Sequence, residues 1–189
     1  MIWLVAGLVL FLGVHSVRLV APGFRDRMVA SLGEGPWKGV YTLVSIAGLA
    51  LLIWGYGQAR PDAPVLYEPP VFLKHLVSLF MLVAFILLVA TYVPDGYIKK
   101  RVKHPMLLAV KIWAFAHLLA NGDLASLVLF GAFLAWAVAD RISVKRRGNP
   151  VIAAVSVRND IIAAVVGFAL TGWFIMQGHL WLIGVSPIP

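Results

Sequence analysis

In 189 residues the chain carries 61% hydrophobic but only 13% charged side chains, with a formal net charge of +8, whereas roughly a quarter of residues are charged in soluble domains. Together with a mean hydropathy of +0.92, this excludes an ordinary soluble domain and points to an integral membrane protein in contact with the lipid bilayer. The absence of cysteine excludes disulfides, iron–sulfur clusters and thiolate ligation, leaving histidine nitrogen and oxygen for any metal.

The basic excess does not point to nucleic acid. Its residues fall in short connections between apolar runs, where they set membrane orientation. Ile2 to Val20 is the first apolar run; it has no basic residue before it, Arg18 at its end, and Arg25 and Arg27 after it, the reverse of a cleaved signal peptide. Ala21 to Lys38, with Gly33, Gly35 and Pro36, is expected to form an amphipathic turn or two and then a loop. Val40 to Tyr56 is the second span. The proline-rich GQARPDAPVLYEPP that follows reads as a non-cytoplasmic loop.

Val71 to Tyr92 is the third span, with Lys74 near enough to its start to snorkel to the headgroups. Pro94 to Lys103 holds the densest basic cluster, Lys99, Lys100, Arg101 and Lys103, and marks the cytoplasm. The fourth helix, HPMLLAVKIWAFAHLLANGD from His104 to Asp123, opens on a proline suited to a first helical turn and closes in an Asn-Gly-Asp turn. Leu124 to Val138 is a short fifth span with Asp123 as its cap; Arg141 to Arg158 is a basic connection, and Ile161 to Ile183 is the last span. Asp140 and Arg141 are expected to pair at the cytoplasmic edge.

The expected fold is all-α: one transmembrane domain over 1–189, a bundle of about six helices with both termini outside and three basic loops in the cytoplasm.

Polar groups inside apolar spans carry the functional signal, because lipid tolerates them only where they face protein or a ligand. On the fourth helix Trp113, His117 and Asn121 share a face at a spacing of four residues. His15 lies toward the cytoplasmic end of the first span with Arg18 one turn beyond it, and Lys111 is the deepest lysine. His75, His117 and His179 fall on the outer side, while His104 and His179 are near a membrane surface. Two imidazoles from separate helices, without cysteine and with almost no buried carboxylate, suit haem better than a hard metal or catalytic zinc. No nucleophile with a matched base and no phosphate-binding glycine loop is apparent, so hydrolase and nucleotide chemistry are unsupported.

The stretch KHPMLLAVKIWAFAHLLANGDLASLVLFGAFLAWAVADR, with the earlier FLGVHSVRLVAPGFR, resembles the NnrU family of bacterial membrane proteins. That resemblance implies a multi-pass protein of the bacterial inner membrane linked to nitrite and nitric oxide metabolism in denitrification. The family is in turn similar to the haem b-binding 15-cis-zeta-carotene isomerase. By that resemblance the axial histidines fall on His15, in VHS, and His117, in WAFAH; Ala114 stands where the relative has a cysteine.

From the residues themselves, Arg18 and Lys111 are expected as propionate partners, His75 as a substitute ligand by its depth, and Trp113 and Asn121 beside the cofactor. Any activity would then be haem-dependent, of an isomerase or oxidoreductase type. The rival expectations are a non-enzymatic assembly or regulatory factor for a nitric oxide reductase or another membrane redox partner, and a small membrane methyltransferase built on the His104-Pro105 element.

Overall fold

The computed structural model describes residues 1–187, and its described elements are helical apart from one isolated bridge between Val65 and Asp123. Five helices are long and apolar enough to cross a membrane: α1 (Ile2–Val20), α3 (Glu34–Ala59), α4 (Val71–Tyr92), α7 (Leu124–Arg146) and the final run Val157–Ile183. A sixth apolar helix, α6 (Pro105–Ala120), has 16 residues, so it is about 24 Å long against a hydrocarbon core of about 30 Å. The protein is thus an all-α, multi-pass membrane protein.

Several boundaries differ from the hydropathy reading, each for a local reason. The amphipathic turns expected after α1 form a full helix, α2 (Pro22–Leu32), and in place of the loop expected after them only Gly33, at φ 86°, separates α2 from α3. Pro36 does not break α3 because it lies in the first turn, where its missing N–H has no partner to lose. Helix α7 continues past Val138 to Arg146 because its polar last turns are still helical, with Lys145 and Arg146 at the negative end of the helix dipole. Short α5 (Tyr97–Val102) occupies the basic cluster expected as loop. The last run is α8 (Val157–Trp173), a π-helical turn Phe174–Gly178, and α9 (His179–Ile183).

Contacts sort the chain into two compact units: Met1–Val65 with Asp123–Ala132, and Leu66–Gly122 with the chain from Phe133 onward. In the first, α1 and α3 run antiparallel along a glycine seam, where the Gly7, Gly48 and Gly55 backbones meet Leu52, Phe11 and the Trp3–Leu4 peptide respectively. Lipid gives apolar side chains no reason to leave it, so helices associate through close backbone approach at small residues. In the second unit α4 packs against both α6 and α8, with Gly167 seated on the backbone of Ile86. The outer faces expose Val9, Leu43, Leu79 and Phe168, as expected of a lipid-contacting surface.

A Cβ at Gly7 would lie 2.5 Å from the Leu52 backbone nitrogen, whereas one at Gly13, on the same helix, would meet nothing within 4 Å. Gly7→Ala is expected to destabilise the protein by about 1–3 kcal/mol, and Gly13→Ala to be neutral or slightly stabilising. Thermal unfolding of both variants in one detergent checks the contrast.

Candidate functional site

His15 and His117 are each oriented by their own helix. His15 donates from Nδ1 to the Phe11 carbonyl four residues back, at 2.7 Å, and its ring lies 4.3 Å from the Phe11 ring and 5.3 Å, edge-on, from that of Tyr41. His117 donates from Nδ1 to the Trp113 carbonyl at 2.8 Å, and Trp113 stacks edge-on against Phe133 at 5.2 Å. Asn121 repeats the pattern one turn later, its amide donating to the His117 carbonyl at 2.9 Å. The polar stripe on α6 is therefore a ladder of side-chain bonds to carbonyls one turn earlier.

These bonds decide the chemistry of the rings. With the proton held on Nδ1 by a carbonyl, Nε2 is the basic nitrogen, the form in which imidazole ligates a metal. His179 follows the same rule, donating from Nδ1 to the Val185 carbonyl at 2.6 Å. Among the described residues no group of three or more His, Cys, Asp or Glu is arranged to hold a metal ion; a centre held by one or two imidazoles and a macrocycle does not need such a group.

The remaining predicted residues have varied settings. Arg18 is exposed on α1 one turn past His15, while Lys111 is half-buried on α6. His75 is exposed near the start of α4. Asp140 and Arg141 do not pair, since neighbours on a helix point apart; Asp140 approaches Arg147 at 3.8 Å, and Arg141 donates to the Asn149 side chain at 3.2 Å.

Sequence reasoning missed three polar constructions. In the first unit Ser126 donates from its hydroxyl to Asp123 at 2.6 Å and from its backbone N–H at 2.9 Å, confirming Asp123 as the cap of α7. Because that hydroxyl proton is committed, Tyr56 Oη donates to Ser126 Oγ, 2.8 Å away, and a buried serine joins α3 to the start of α7.

In the second unit Tyr67 Oη donates to the Leu118 carbonyl and, at 3.0 Å, to that of Asn121, closing the end of α6. Also there, Asp160 accepts from the Tyr97 and Ile98 N–H groups at 2.8 and 3.1 Å, while Asn159 donates to the Asp95 carbonyl at 2.9 Å. A serine three residues after an aspartate was the available signal for the first; the other two join residues distant in sequence.

His104 marks the other end of α6. It follows Lys103, the one non-glycine residue with positive φ among those described, at φ 65° and ψ −43°. His104 N–H reaches back to the Val102 carbonyl at 2.8 Å, closing a γ-turn of the rarer, strained hand. The His104 Nε2 is buried without a hydrogen-bond partner among the described residues. Burial, with the positive charge of Arg141 next, holds this imidazole below its ordinary 6.5, against the opposing pull of Asp140 and Asn149.

A model of the family described as NnrU protein matches residues 3–187. No curated protein and no solved structure gives a match.

Since His104 takes up its proton less readily folded than unfolded, the unfolded chain gains protons first as the pH falls below the ordinary value of 6.5. Stability should therefore drop as the pH falls through the ordinary value of 6.5 and into the range below it. His104→Gln is expected to make that decline shallower in melting temperatures measured across the range; an unaltered slope would assign the acid sensitivity elsewhere.

Proposed function

Because the chain belongs to the NnrU family, we propose that it is a haem b-binding membrane protein of nitrite and nitric oxide metabolism, in which His15 and His117 would hold the haem. The observation that supports this reading is the matched state of the two rings: each donates Nδ1–H to the carbonyl four residues earlier and keeps Nε2 as its basic nitrogen. The donor set fits the group, since neutral imidazole is a preferred ligand of haem iron and needs no carboxylate or thiolate beside it. A bound haem supplies one-electron redox chemistry and, where a coordination position opens, binding of a small diatomic molecule.

The chain's own part is to orient and shield. The Phe11 and Trp113 carbonyls fix the tautomer and rotation of the two rings. Phe11 and Tyr41 flank His15, and Trp113 lies 5.5 Å from His117, so aromatic surface limits water at both imidazoles. Arg18 and Lys111 supply positive charge for propionates. His75, exposed on α4, is the substitute should His15 not ligate, and Trp113 and Asn121 hold the His117 turn. Membership of the family, together with this chemistry, is the support for a role in denitrification at the bacterial inner membrane beside a membrane redox partner.

Full-length protein purified in detergent from haem-replete cells should show a Soret band that shifts on reduction. His117→Ala and His15→Ala should each change or abolish the band while helix content by circular dichroism is retained. A colourless folded protein, with cellular phenotypes indifferent to both histidines, would overturn the reading in favour of a non-enzymatic assembly factor.

A further inference from the structure

The basic cluster between α4 and α6 is more ordered than a charged loop requires. Lys99 is committed internally, to Asp95 at 3.2 Å and to the Val93 carbonyl at 2.8 Å. Asp160, on the first turn of α8, holds the opening N–H groups of α5. Gly96 presses so closely on this carboxylate that a Cβ there would lie 2.2 Å from it. The three cations that follow, Lys100, Arg101 and Lys103, enter no ion pair among the described residues, nor does Arg158, two positions before Asp160. Tyr92 and Tyr97, 77% and 53% exposed, flank them at the end of a membrane span, the level at which tyrosine settles in the headgroup layer.

A short helix, pinned at its start, thus carries cations without ion-pair partners among the described residues at the end of a membrane span. We propose that Lys100, Arg101, Lys103 and Arg158 form a binding surface for the phosphodiester headgroup of an anionic phospholipid such as phosphatidylglycerol. Phosphate oxygens accept from lysine and arginine together, and the acyl chains of such a lipid lie along the apolar spans below. The pinned α5 holds its backbone already in place, so binding has only the side chains left to order. The basic end of α7 offers charge without this arrangement: Lys145 and Arg146 are exposed on its last turn, with no tyrosine among the neighbouring residues.

The test uses the delipidated full-length protein in detergent, titrated with phosphatidylglycerol or phosphatidylcholine and followed by native mass spectrometry. Phosphatidylglycerol should bind selectively. Lys100→Gln/Arg101→Gln should weaken it by about 30-fold, since each cation near a headgroup contributes about a factor of five. Lys145→Gln/Arg146→Gln removes the same charge and should weaken it less than about threefold. Inorganic phosphate should not compete, which separates a lipid headgroup from a free anion. Equal affinity for phosphatidylcholine, equal losses in the two double variants, or displacement by inorganic phosphate would each overturn the proposal, and none of these outcomes depends on whether haem is bound.

Discussion

In a membrane, every polar group that leaves water must find its partner within the protein, and this chain meets the demand mainly by returning side chains to the carbonyls of the preceding turn. His15, Ser16, Ser45, Thr91, His117, Asn121 and Thr171 each do so. For the hydroxyls the bond lets a polar side chain sit in an apolar helix without a partner on another helix. For the histidines it does more, because it selects one ring nitrogen as donor and leaves the other basic. The solvent thus imposes a bonding pattern that also prepares an imidazole for ligation.

Around that pattern the helices are held by two means. Where α1 meets α3, glycines remove the side chains that would keep two backbones apart. At helix ends, polar side chains close the connections: Asp123 caps α7, Tyr67 covers the end of α6, and Asp160 gathers the start of α5. Both means spare the lipid-facing surface, which stays apolar and free to carry long aliphatic side chains.

Much of this was legible in the sequence. Hydropathy located every span, and the ends of α4 agree to the residue, because proline on one side and a Val-Pro-Asp run on the other coincide with the change of polarity. The boundary errors arose where polarity and helicity part company. Charged turns of α7 and the Pro36 region of α3 are helical outside the apolar window, so a hydropathy argument ends too early. The Trp113–His117–Asn121 stripe was correctly placed on one face, but its internal bonding was not foreseen, since spacing says which side chains align and not what they touch. The Asp160 and Tyr67 closures were invisible for a different reason: they join residues some 50 to 60 positions apart, and a single sequence carries no signal for that.

The π-helical turn Phe174–Gly178 has a bearing on how this chain can vary. Such a turn holds one residue more than the α-helical path it replaces, as a single inserted codon would produce. Excising one position there would leave a continuous α-helix, with the residues that follow kept close to the faces they now occupy. His179 would keep the Val185 carbonyl that sets its tautomer, since both residues follow the turn. A lineage can therefore change the length of its last span by one residue at this turn while the imidazole beyond it stays oriented.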